Sequence, residues 1–225
     1  MAVTGQNIID KVHTVLSDVN IYWPDAELLG WLNSGLKEIA ILKPNVLITI
    51  AAVKCVAGTK QTLPTGGLML VDIVRNMGTA GTTPGRGVAL ISRQTLDGIN
   101  NDWHTTTAAA VAKHFVFDPR YPKVFYVYPQ QPAANQGYLE IAYAVSPTNL
   151  TALSDAIPLD DVYENVLVDY VLYRAFGKNS TEPSNVTVSQ AHYAAFAGVL
   201  GAKVQAELAI QPVAAMQASS PPGQK

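Results

Sequence analysis

Over residues 6–19 the apolar positions fall at Ile8, Ile9, Val12, Val15, Leu16 and Val19, the three-and-four spacing of one helix face. The next run, WPDAELLGWLNSGLKEIAILKP, repeats it through Leu28, Leu32, Leu36, Ile39 and Leu42. Pro24 and Asp25 mark its start, Asp25 and Glu27 suit the positive end of a helix dipole, and Pro44 stops it near Lys43. The link between them is short, so these helices are expected to pack as a hairpin. Trp23 and Trp31 flank the second helix start and are candidates to pack that hairpin.

From Val46 the period changes to two. NVLITIAAVKCV and LMLVDIVRNM read as strands joined by the turn GTKQTLP, and VALISRQTLDGINNDWH reads as a strand followed by a short irregular piece. Further strands are predicted near 114–118, 123–128 and 138–145, with loops at 118–122 and 129–137. In the last strand Leu139, Ile141, Tyr143 and Val145 alternate with Tyr138, Glu140, Ala142 and Ala144, which predicts one packed face and one partly exposed. Helix returns in PLDDVYENVLVDYVLYRAFGKNS, with Asp160 as N-cap, Val162, Val166, Leu167, Tyr170, Val171 and Ala175 on one face, and Gly177 just past the end. A final helix is predicted over 186–210, with Val188, Ala195, Val199 and Leu208 among its apolar positions. Its alanines, with Gly198 and Gly201, permit close helix approach.

The predicted class is therefore α+β. Helix pairs from residues 1–45 and 159–211 form one bundle, an antiparallel β domain occupies 46–158 as an insertion, and 212–225 is an arm that is flexible when free.

Composition sharpens this picture. The 225-residue chain is 48% hydrophobic and only 14% charged, with a formal net charge of −2. So little charge suggests a surface covered by partners, as in an obligate oligomer, although a small hydrophobic monomer also fits. No basic stripe is present, which argues against a sequence-reading nucleic-acid binder. The lone Cys55 excludes an intramolecular disulfide and reads as a small buried hydrophobe. The Asn-x-Ser/Thr triplets at Asn149, Asn179 and Asn185 follow no secretory signal, so glycosylation is not expected. No apolar run approaches the roughly 20 residues of a membrane span.

Candidate chemistry is sparse. GTAGTTPGRG, residues 78–87, matches neither a P-loop nor a dinucleotide fingerprint and leads into a strand, so it reads as a loop or hairpin tip. His13, His104, His114 and His192 stand far apart, none at metal-ligand spacing. No GxSxG elbow marks a nucleophile, and Asp160 and Asp161 suit capping better than acid–base work. No catalytic residue, metal or cofactor is expected. Tyr126, Tyr128, Tyr138 and Tyr143 suit either cross-strand packing or a sugar-stacking platform, and Trp103 beside His104 suits burial at a subunit contact. Tyr121, with Tyr126 and Tyr128, completes the candidate subunit or tail contacts.

Taken in order, the second helix run, KQTLP, LMLVDIVRN, FVFDPRYPKVFYVYPQQP with LEIAYAVSP, and IPLDDVYENVLVDYVLYRAFGKNS resemble the head-to-tail adaptor proteins of short-tailed bacteriophages, the tail tubular protein A type. The resemblance covers roughly residues 5–205. It implies a structural virion protein, not an enzyme: a homo-oligomeric ring of about twelve copies below the portal protein. Such a ring carries the tail nozzle protein and often the tail fibres, around a channel through which double-stranded DNA passes without sequence-specific binding. It also implies a place in the virion neck, after assembly in the host bacterial cytoplasm. By the same resemblance the C-terminal arm, with Pro212, Met216, Pro221 and Pro222, would order against the portal. The rival reading is a carbohydrate- or receptor-binding β module of a phage tail.

Overall fold

The computed structural model describes residues 2–18, 20–179 and 182–210, with side chains as far as residue 206. The fold is α+β, with five α-helices and two sheets among the described residues. The chain divides into a helical unit, made from its two ends up to Lys43 and from Pro147 onward, and a β unit, Pro44–Ser146.

In the helical unit, α1 (Gly5–Leu16) begins at a reciprocal cap. The Thr4 hydroxyl accepts the Asn7 N–H, and the Asn7 side-chain oxygen accepts the Thr4 N–H at 2.9 Å. Its core contribution is narrower than its stripe: Ile8, Ile9 and Val12 are fully buried, whereas Val15 is half exposed. Helix α2 (Asp25–Leu42) buries Leu28, Leu32, Leu36 and Ile39 and leaves Leu42 exposed. The hairpin expectation needs adjustment, because α1 and α2 each pack more extensively on α4 (Glu164–Lys178) than on each other. At the α2–α4 crossing a side chain on Gly35 would lie 2.8 Å from the Tyr170 ring, so glycine permits the close approach. Trp23 likewise reaches α4, its indole N–H donating to the Ala175 carbonyl at 3.2 Å.

Several helical details differ from the sequence reading. Asp160 makes no side-chain cap bond, and a 3₁₀ turn at Asp161–Tyr163 precedes α4, leaving Val162 exposed. Gly177 lies inside α4, which is capped by Asn179. Helix α5 starts earlier, at Pro183, where proline suits a first turn, and runs to Ile210. It buries Phe196 and Leu200, while Val188, Ala195 and Val199 are exposed. Leu208 lies outside the described side chains. Residues 147–158, read above as part of the insertion, hydrogen-bond to helices instead. Asn33 of α2 grips both the N–H and the carbonyl of Leu150, at 2.7 and 3.0 Å, and the N–H groups of Gly5 and Gln6 donate to Asp155 and Leu153.

The β unit holds two sheets. One has the order β1 (Ile48–Lys54), β7 (Tyr138–Val145), β3 (Gly67–Asn76). The other runs β2 (Gly58–Thr62), β6 (Val124–Gln131), β5 (His114–Phe117), β4 (Ala89–Leu90). Pairing is antiparallel except between β4 and β5, so the second sheet is mixed at its edge. Leu70, Ile73, Leu139, Ile141, Phe115, Phe125 and Val127 form the main core. Cys55 is buried with them, and that burial pushes its thiol up to about 12, which leaves it unreactive at neutral pH. Strand β7 is central in its sheet. One face buries Leu139, Ile141 and Tyr143, and on the other Ala142 and Ala144 are buried while Tyr138 and Glu140 stay partly exposed, as expected.

Strand β6 continues through Pro129, after a cis Tyr128–Pro129 bond, to Gln131, where the sequence suggested a loop. The segment after β4 is a two-turn helix, α3 (Arg93–Ile99), capped by the Ser92 hydroxyl, which accepts the Thr95 N–H at 3.1 Å. Its one buried residue, Leu96, gives too little periodicity to betray a helix.

Three buried side-chain amides hold the irregular stretches. Asn76 donates to the carbonyls of Arg86 and Ala112 and accepts the Ala112 N–H, all within 2.9 Å. Gln131 accepts the Gly137 N–H and donates to Ala109. Gln61 accepts the Val56 N–H and donates to Val56 and Gly58. Each replaces a strand partner that the local backbone lacks.

Candidate functional site

The outer face of the four-stranded sheet carries a second, smaller core. Leu96 of α3, Trp103 and Val116 are buried there, with Ile91, Tyr126 and Tyr128 packed around them. Antiparallel register explains the grouping: Lys60 of β2 lies opposite Tyr126 of β6, which lies opposite Val116 of β5, so the three side chains share one face.

A cleft of about 830 Å³ opens beside this core. Val116, Val124 and Tyr126 form its floor. Arg93, Asp97, Trp103 and His104 make one wall, and the β5–β6 turn, with Asp118, Arg120 and Tyr121, makes the other. Trp103 is buried, its indole N–H donating to Asp97 at 2.7 Å, and His104 stacks on it at a centroid distance of 3.6 Å. The other side of the imidazole is fixed by a 2.8 Å hydrogen bond between Nδ1 and the Thr59 hydroxyl. Asp97 also meets Arg93 one helical turn away, at 3.4 Å.

Across the cleft, Arg120 grips Asp118 with both Nε and Nη2, the shortest contact being 2.6 Å, and its backbone N–H bonds the same carboxylate. Those bonds to Arg120 hold the Asp118 carboxyl down at about 2. The rims therefore carry two guanidinium–carboxylate pairs, a hydrogen-bonded one at Arg120–Asp118 and a looser, exposed one at Arg93–Asp97. Tyr121, 66% exposed, stands free beside one of them.

Four of the five candidate contact residues, Trp103, His104, Tyr121 and Tyr126, thus converge on one cleft. Trp103 presents little surface, being 1% exposed in the single chain, so burial at a subunit contact is not what covers it. Tyr128 lies further along the same face, stacked on His114. A four-tyrosine platform does not form: Tyr143 is in the main core, and Tyr138, in the other sheet, packs over Gly81. Pro212, Met216, Pro221 and Pro222 lie outside the described residues. The sequence reading missed Lys60, Arg93, Asp97, Asp118 and Arg120. The i,i+4 spacing of Arg93 and Asp97 and the DPRY turn were the available signals.

The remaining candidates have separate local roles. His13 pairs with Asp25 at 2.8 Å and His192 with Asp169 at 2.9 Å. The 78–87 loop is tied back by Gly85 N–H to the Asn76 carbonyl and by Asn76 N–H to the Arg86 carbonyl, as a hairpin tip would be. Among the described residues no group of three or more His, Cys, Asp and Glu is placed to hold a metal ion, and no helix is long and apolar enough to cross a membrane.

Fold and cleft together define an α+β protein whose β unit carries a cleft lined by aromatic and paired charged side chains. More specifically, the chain belongs to the SU10 adaptor protein family, whose model matches residues 3–219. It is accordingly a structural adaptor protein of a bacteriophage, in keeping with the resemblance to head-to-tail adaptors, and the place of such an adaptor is the neck of the virion. No curated protein matches the chain.

Proposed function

We propose that the protein forms a closed ring joining the portal to the tail nozzle and fibres, around a channel for DNA. The family match over residues 3–219 carries this reading. The exposed apolar side chains of the helical unit support it: Ile21 is 84%, Ile41 71% and Val162 63% exposed in the single chain. In α5, residues 183–202 contain no Asp, Glu, Lys or Arg, and Val188, Tyr193 and Val199 are exposed there. A ring would cover such surfaces with two different faces of neighbouring copies, a head-to-tail contact that closes by rotation.

In this reading about twelve copies assemble under cyclic symmetry. The helical unit forms the wall and channel, and the net charge of −2 per copy keeps DNA phosphates from adhering. The β unit projects toward nozzle and fibres, and residues 212–225 order against the portal on assembly.

The test is to mix the purified chain with purified portal and examine the product by negative-stain microscopy. Rings seated on the portal are expected, and a chain that stays monomeric beside intact portal would sink the proposal. Removing residues 212–225 is expected to abolish portal attachment; undiminished attachment would refute the role of the arm alone.

A further inference from the structure

We propose that the cleft on the outer face of the four-stranded sheet is a saccharide-binding site, separate from the surfaces that assemble the ring. The floor strand β6 is hydrogen-bonded on both sides, to β2 and to β5, so it offers side chains and not a free backbone edge. An extended peptide would therefore find no strand to join on the cleft floor. What the cleft offers instead is a mixture of planar donors and acceptors around aromatic rings. Arg120 and Asp118 form one hydrogen-bonded pair beside Tyr121, and Arg93 and Asp97 a looser one on the wall that carries the Trp103-backed His104 imidazole.

Sugar hydroxyls both donate and accept, so a guanidinium and a carboxylate held side by side satisfy neighbouring hydroxyls, and the C–H faces of the ring pack on aromatic groups. The volume of about 830 Å³ suits one or two sugar rings. Lys60 adds a cation with no carboxylate partner among the described residues, giving three cations to two carboxylates. That excess favours a saccharide with an acidic substituent over a neutral one. The rims are also preorganised: Asp118 already accepts from the Arg120 side chain and backbone, and Asp97 from the Trp103 indole.

The experiment titrates the full chain with maltose, N,N′-diacetylchitobiose and a galacturonate disaccharide, using calorimetry and the fluorescence of Trp103. The other two tryptophans are first replaced by phenylalanine, in a background whose melting is checked. The expected result is binding tighter than about 1 mM for at least one sugar, with the uronate strongest. Tyr121→Ala and Arg120→Ala are each expected to weaken it at least tenfold with melting unchanged. Both side chains are largely exposed, so neither change empties a core. Absence of binding by all three sugars overturns the proposal, as does binding that both substitutions leave intact. Loss of Tyr121 accessibility, read by hydroxyl-radical footprinting, on adding a virion protein but not with any sugar would make the cleft a protein contact and also overturn it. Since ring formation is read separately on the portal, failure here leaves the adaptor reading standing.

Discussion

The helical unit and the β unit close their interiors with different chemistry. The first uses aliphatic stripes meeting at close crossings, such as Gly35 against Tyr170, and its backbone polar groups are largely satisfied inside the helices themselves. The second has long connections between its strands whose backbone groups find no regular partner. It inserts amide side chains to supply them, with Asn76, Gln61 and Gln131 each no more than 3% exposed. Packing errors in the first unit are matters of shape, where neighbours can shift. Polar errors in the second leave buried donors and acceptors unsatisfied, which relaxation does not cure.

The sharpest test of that contrast is Asn76→Ala. It strands the Ala112 N–H and carbonyl, while the Arg86 carbonyl keeps the Asn76 backbone N–H, and is expected to cost about 3–5 kcal/mol in urea unfolding. Gly35→Ala places a methyl group against the Tyr170 ring and is expected to cost about 1–3 kcal/mol by the same measurement. If Gly35→Ala proved the more damaging, the contrast would be wrong. Thr4→Ala removes the α1 cap and is expected to cost about 1 kcal/mol, seen as fraying of α1 amides in hydrogen exchange.

The smallest effect on stability is expected at the exposed clamp of the β5–β6 turn. Asp118 has its folded value depressed, from 3.8 to about 2, so its contribution is complete above the unfolded value and is lost as pH falls through about 2. Carboxyl titration by NMR should show it ionised well below pH 3.8, and Arg120→Ala should return it toward 3.8. An unmoved value in that variant would show that the turn backbone, and not Arg120, sets it.

The same contrast decides what the sequence revealed. α1, α2 and α4 were legible because their cores follow helical spacing, and β7 because its alternation is clean. α5 was legible as a helix but its buried side was not, since apolar residues surround it and spacing alone cannot say which face is covered. The extent of β6 was missed because Pro129 and two glutamines look like a loop; Gln131 is in fact 2% exposed. Of the cleft, the aromatic residues were visible as candidates. The charged rims were not, because Asp118 and Arg120 gain meaning only when the β5–β6 turn faces α3. Polar residues with structural or recognition roles carry no period, so composition alone reads them as solvent-facing.

The helical unit is built from both ends of the chain, and this sets an order of events during synthesis. Residues 44–146 leave the ribosome before α4 emerges, so the β unit can close while α1 and α2 still present bare apolar stripes. Nascent chains stalled with residue 146 just outside the exit tunnel should therefore resist protease across the β unit and be cut within α1 or α2. Protection of both regions at that length would show that the N-terminal helices do not wait for α4.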